Sequence, residues 1–354
     1  MGDKKNRNFK DYLLPFLQSI EQLFELKPGT RPWHFSLVAA LCVGIPVLVS
    51  AYFKHPQYGM LSAIGAMVFL YMPQAGIAKR MIRLAWSAIG FLICFALGAS
   101  SSFDPFMSAC TLASITMLAT IICRLYLIPP PGSIFFIMIA TIAVTLPFNL
   151  ALIPLQVGLI AIGSTFACLM AFIYSLLSAR HTAPLNLSTS PKRPIQEIIH
   201  EALVMGMFVG GSYLLAKYMQ FDHPYWVPIS CAAIMQGATF TAVWHRKIHR
   251  IFGTIVGMGL TWIIFSFSPS TMEIGLIIIA LDFMIQTLVA RNYALAVVFI
   301  TPLTVLFAES ASISIPLNLL VMSRLTDIVV GSAIGLIGGW ILHHPGFIRA
   351  WRTF

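Results

Sequence analysis

Three ionisable residues stand where an apolar sequence leaves little room for charge: Asp282, Arg324 and Asp327 each lie inside a long hydrophobic run. An ionised side chain at the centre of a bilayer costs about 2.5–3.5 kcal/mol or more, so such a group must pair, protonate or bind something. Asp282 is ten residues into its run. At about 1.5 Å per residue that is roughly 15 Å, near the middle of a 30 Å hydrocarbon layer. A desolvated carboxylate there can load and release a proton. Arg324 and Asp327 are three residues apart and share a helix face, so they can pair. An intramembrane guanidinium also attracts carboxylates, and Asp327 would then set whether Arg324 is engaged. Gly331 and Gly335 continue the same stripe and admit a close neighbouring helix. The competing reading of the three charges is a buried polar link that only locks helices together.

Other residues add weaker chemistry. Pro302 follows Thr301 inside an apolar run and removes the hydrogen bond to the Val298 carbonyl, which kinks or opens a helix. Freed backbone can face a cavity and meet a substrate; alternatively the Thr301 hydroxyl relieves the kink. Tyr225, Trp226 and Tyr293 stand at the ends of runs, where they could stack on an aromatic substrate or anchor the membrane interface. His245 and His249 have the spacing of a zinc pair, yet their neighbours are Arg246, Lys247 and Arg250, with no Cys or carboxylate ligand, so no metal is expected. Arg250 and Arg291 belong to basic segments at a cytoplasmic mouth, where they fix topology and concentrate anions. No Ser-His-Asp or Cys-His set shares a depth and no phosphate-cradling glycine loop appears, so neither an enzyme nor a cofactor is expected.

The elements that hold these residues follow from composition. Hydrophobic residues make up 58% of 354, charged residues only 10%, and the mean hydropathy is +0.86. That is far from a soluble domain, about a quarter of whose residues are charged. Runs of membrane-crossing length fall near 34–53, 57–73, 84–101, 106–123, 132–149 and 153–177. A second six lie near 197–219, 225–241, 251–268, 272–290, 292–309 and 318–342. The expected fold is all-α, a polytopic membrane protein of about twelve transmembrane helices.

The net charge of +10 could suggest nucleic acid. Its distribution argues for a membrane instead: with the N-terminus inside, every Lys and Arg except Lys54, Lys217 and Arg324 falls on the cytoplasmic side. Residues 1–30 read as a cytoplasmic segment, with Leu13, Phe16, Leu17, Ile20, Leu23 and Phe24 at helical spacing on the inner membrane face. The six cysteines sit in apolar runs without paired spacing and read as packing residues.

The sequence also says one thing twice. His55-Pro56-Gln57-Tyr58 recurs 168 residues later as His223-Pro224-Tyr225-Trp226, Arg83 and Gly90 recur as Arg250 and Gly257, and Arg124 as Arg291. Six crossings return the chain to its starting side, so the expected halves, 31–177 and 197–354 around a cytoplasmic linker at 178–196, are parallel repeats. In the first half Gln156 stands opposite Arg324 and Leu159 opposite Asp327, while Gly163 still matches Gly331. The packing device is duplicated; the charges are not.

The segment from Tyr225 to Gly257, YWVPISCAAIMQGATFTAVWHRKIHRIFGTIVG, and that from Arg291, RNYALAVVFITPLTVLF, resemble the fusaric acid resistance protein-like family of bacterial inner-membrane exporters. The Tyr225-Trp226 opening, Gln236, Arg250 before Gly253-Thr254 and Gly257, Tyr293, Thr301-Pro302, and Arg324, Asp327 and Gly331 carry the match. Larger members carry a sizeable soluble domain where this chain has a short linker. The resemblance implies export of aromatic or amphipathic carboxylates, an inner-membrane location, and Gln236 among the substrate-facing residues. It also implies a periplasmic adaptor as a partner; the lipid bilayer and a second copy of the chain, as a homo-oligomer, are the other expected partners. Joined to the charges, it gives an expected proton-driven exporter of organic anions. Asp282 and Asp327 would couple the proton, while Arg324, Tyr293, Thr301, Tyr225, Trp226 and Gln236 face the substrate. An anion channel and a non-transporting partner subunit are the rivals.

Overall fold

The computed structural model describes residues 26, 28, 32–178, 193–237, 239–309 and 317–344. The amphipathic N-terminal segment and nearly all of the linker lie outside the described residues. Within them the chain is all-helical, with twelve α-helices and no strand. The first six are α1 (Trp33–Tyr52), α2 (Pro56–Ala66, continued as a 3-10 turn over Met67–Tyr71), α3 (Ile77–Ser101), α4 (Pro105–Leu125), α5 (Ile134–Thr145) and α6 (Ile153–Ser178). The second six are α7 (Ile195–Tyr218), α8 (Trp226–Met235), α9 (Phe240–Ser266), α10 (Thr271–Leu288), α11 (Tyr293–Glu309) and α12 (Leu317–His343).

Local signals explain several starts. Asp104 accepts a hydrogen bond from the Met107 amide at the head of α4, and Thr239 accepts one from Ala242 at the head of α9. Ser270 and Glu273 form a reciprocal capping box on α10. Each cap satisfies an amide that has no partner within its helix.

Among the described residues, eight helices are long and apolar enough to cross a membrane. The other four, α2, α5, α8 and α11, are shorter, and α8 departs furthest from its expected run of 225–241. At ten residues it is only about 15 Å long, half a bilayer. All ten of its residues are buried. Such a run is apolar because protein surrounds it on every side, a condition that hydropathy cannot tell from lipid.

Packing is regular. In the first six helices α1 lies on α2, α2 on α6, α3 on α5 and α6, and α4 on α5; the same partnerships recur six helices later. Between the two sets α4 packs on α7 and α10 on α1. Glycines set the close approaches. Gly163 of α6 abuts the Ser62 carbonyl of α2, and Gly331 of α12 abuts the Val227 carbonyl and Ser230 of α8. Gly44 meets Ile279, as Gly210 meets Ala113. One apolar core, including Phe35, Phe69, Phe91 and Tyr213, runs through both sets.

Four of the six cysteines are buried in that packing, Cys168 is half-buried and Cys110 is exposed; all six are unpaired thiols.

Candidate anion site

The site is built on α8. Trp226 opens the helix, Ser230 lies one turn on, and Ala233 nearly two turns on; steps of four and seven residues put all three on one face. Three arginines meet that face in order. The Arg324 guanidinium of α12 lies over the Trp226 ring, 3.1 Å from its centroid. Its Nη2 donates to the Thr304 hydroxyl of α11. Arg250 of α9 donates through Nη2 to Ser230 Oγ at 3.0 Å and through Nη1 to the Tyr293 hydroxyl at 3.4 Å. Arg246, one turn earlier on α9, donates to the Ala233 carbonyl at 3.1 Å and stands 5.6 Å from the centre of the Tyr293 ring.

Arg324 and Arg250 are 4% and 7% exposed. Neither forms an ion pair: among the described residues the ion pairs join Glu201 to Arg124 and to Arg193. Arg324 Nε and Nη1 and Arg250 Nε are buried without a hydrogen-bond partner. An aromatic face and a hydroxyl offset little of the cost of burying a guanidinium; an anion bridging the unfilled N–H donors would offset far more. The face of α8 is thus electropositive, half desolvated and aromatic at one end.

Asp327 is 1% exposed, one turn beyond Arg324 on α12, with Oδ2 unpartnered. The side-chain pairing that three-residue spacing allows is not formed, because the guanidinium turns to Trp226 and Thr304 instead. Asp282 stands apart on α10, which packs on α1. Its Oδ1 accepts a hydrogen bond from Gln286 Nε2 at 3.1 Å, and its Oδ2 has no partner. No cation balances it among the described residues. It is therefore a buried carboxylate with one oxygen left unfilled.

The remaining expected residues divide. Tyr225 and Trp226 have ring centroids 4.9 Å apart, and the His223 ring lies tilted against Tyr225 at 5.8 Å. Burial holds the His223 imidazole below the usual histidine range; Asp222 opposes this and the Arg324 charge adds to it. Thr301 spends its hydroxyl on the Val297 carbonyl at 2.9 Å and packs against Gly257, so α11 runs on through Pro302 as one helix. Gln236 ends α8 and reaches Ser133 of the first set at 3.5 Å. Arg291 is exposed in the turn before α11. Arg250, expected at a cytoplasmic mouth, is buried within the protein on α9, which begins at Phe240, ahead of the basic cluster.

Sequence reasoning passed over Ser230, Thr304 and the site role of Arg246. Ser230 carried one usable signal, the 168-residue echo of Ser62. Thr304 carried none.

Comparison with known proteins places this geometry in context. Residues 211–338, from the last part of α7 into α12, match the fusaric acid resistance protein-like family, and the match spans every residue of the α8 site. "Uncharacterized membrane protein YvaC" of Bacillus subtilis (strain 168) is 23% identical, over 95% of this chain and 75% of its own length. No solved structure matches the chain.

Proposed function

We propose, from the match of residues 211–338 to the fusaric acid resistance protein-like family and from the α8 site, that the chain is a secondary transporter exporting organic anions from a bacterial cell. The cargo is an aromatic or amphipathic carboxylate. The observation that carries the reading is the pair of buried guanidinia, Arg324 and Arg250, which meet α8 one helical turn apart, at Trp226 and Ser230, with no carboxylate partner among the described residues. Arg324 and Arg250 take the carboxylate, while Trp226 and Tyr225 offer a ring face. Asp327, next along α12, responds to whether Arg324 is occupied. Asp282 carries the coupling proton: it is buried, unbalanced by a cation and set at the contact of α10 with α1, where the two helix sets can move against each other.

The architecture in this reading is twelve helices in two parallel six-helix repeats related by an axis along the membrane normal, in the inner membrane with both termini cytoplasmic. The recurrence of packing partners every six helices and the paired glycine contacts support it. Two like halves leave a pathway where they meet.

Purified protein in liposomes loaded with labelled benzoate tests the function. An imposed pH step should drive benzoate against its gradient, and Asp282→Asn, folded and inserted to the same level, should abolish the uphill component. Benzoate moving only downhill, as a current too fast for an alternating cycle, would point to a channel. Uphill movement by the Asn variant would remove Asp282 from the mechanism.

A further inference from the structure

The α8 face holds more than a binding pair. We infer that Arg246 and Tyr293 form a third station, so that the anion travels along one face of α8, from Arg324 at Trp226 past Arg250 at Ser230 to Arg246 at Ala233. The span from 226 to 233 is about 10 Å at 1.5 Å per residue, short enough for neighbouring guanidinia to share one carboxylate in passing. Tyr293 joins the second and third stations: its hydroxyl meets Arg250 and its ring lies beneath Arg246. The 3.4 Å contact is long for a charge-assisted hydrogen bond and can give way to a carboxylate. Arg246 holds only the terminal carbonyl Ala233, and Arg250 only two neutral hydroxyls; no carboxylate ends the series among the described residues. Lys247, next along, is not part of it, since its ammonium sits over the Trp244 ring at 4.1 Å.

The first helix set shows what α8 looks like without the route. The counterparts of Trp226, Ser230 and Ala233 are Tyr58, Ser62 and Gly65. Gly65 is pressed onto the Ile160 carbonyl of α6, and the buried arginine of that set, Arg80, bonds Ser175 on α6 instead. Only one of the two half-membrane helices is lined by guanidinia.

A bland account exists for Arg246 alone: a cation at a helix C-terminus caps the last carbonyls. The two accounts separate by accessibility. The inference rests on the anion-transport reading but fails independently of it, because the test reads a field and not a flux. In a background lacking the six native cysteines, Ser230→Cys and, as control, Ser62→Cys are placed in nanodiscs, open to water on both faces. Each is treated with an anionic and with a cationic methanethiosulfonate, and the rate ratio is corrected for intrinsic reactivity.

The expected result is that Ser230→Cys reacts despite its burial, favours the anionic reagent, and loses about threefold or more of that preference when Arg246→Gln is added, the effect of one charge removed at several ångströms in a wet passage. Arg246→Lys should keep the preference, and Ser62→Cys should show none. An unreactive Ser230→Cys, an absent preference, a preference indifferent to Arg246→Gln, or an equal preference at Ser62→Cys would each overturn the route. Loss of benzoate transport in liposomes with the route's field intact would instead strike the transport reading.

Discussion

Among single residues, the site's character comes from charges that lack opposite charges. Arg324 is stabilised by a ring face and a hydroxyl, Arg250 by two hydroxyls, and Asp282 by one amide. Each arrangement is weaker than an ion pair and leaves hydrogen-bonding atoms unfilled. In the proposed mechanism the arginines accept the anion and the aspartate the proton. His223 reports on this field from just outside the membrane-spanning segments. Burial, reinforced by Arg324 and opposed by Asp222, keeps its imidazole neutral in the folded state at pH values where an unfolded chain already binds the proton. Its contribution to stability is therefore present above about pH 6.5 and lost as pH falls through the depressed folded value. The melting temperature of the detergent-solubilised protein should drop between pH 7 and 5, and His223→Gln should shrink the drop. Arg324→Gln should shrink it too, by relieving part of the depression. An unchanged pH slope in His223→Gln would show that this imidazole does not sense the site.

The site's dimensions are set by elements, chiefly the contact of α8 with α12. Gly331 and Gly335 let α12 lie against α8, and a Cβ on Gly331 would fall 2.8 Å from the Ser230 Cβ and closer still to the Val227 carbonyl. Backbone cannot yield as a side-chain tip can, so Gly331→Ala should force the helices apart at a cost of about 1–3 kcal/mol. It should also lift Arg324 off Trp226, visible as a lower melting temperature together with a changed tryptophan emission. A variant with wild-type melting and emission would contradict the close contact. These glycines, the twelve apolar runs and the residues Trp226, Tyr293 and Arg324 were legible in sequence, because periodicity and the rarity of intramembrane charge are local properties. The start of α9 was misplaced for a physical reason: hydropathy falls at the basic cluster, so the expected run began at 251, whereas α9 starts eleven residues earlier and carries Arg246 and Arg250 within its first three turns. The Arg324 to Asp327 pairing failed for another reason. Spacing shows which groups can meet on one helix, while Trp226 and Thr304, far off in sequence, decide which meeting occurs. Thr304 and Ser230 are ordinary residues until the packing of α8, α9, α11 and α12 brings each to an arginine.

At the scale of the whole molecule, the described helices fall into two sets of six whose packing partners recur and whose chemistry is unequal. Three arginines, two from α9 and one from α12, meet α8, whereas the buried Arg80 of the first set bonds Ser175 of α6; Gln156 and Leu159 stand where the second set has Arg324 and Asp327. The proposed parallel arrangement implies a topology, with Lys54 and Asn186 on opposite sides of the membrane. Cysteines introduced there in a cysteine-free background should differ toward an impermeant maleimide, only the first reacting in intact spheroplasts; equal labelling would refute the parallel repeat. The inequality of the two sets also supplies the most direct test of the central claim, that Arg324 binds the exported carboxylate. The double variant Arg324→Gln, Asp327→Leu copies the first set into the second and removes both buried charges together, so no orphaned charge is left to unfold it. Labelled benzoate transport and melting temperature are then measured on the same liposome and detergent preparations. The account predicts a melting temperature at or above that of the wild type and no benzoate transport; full transport by the folded double variant would contradict it.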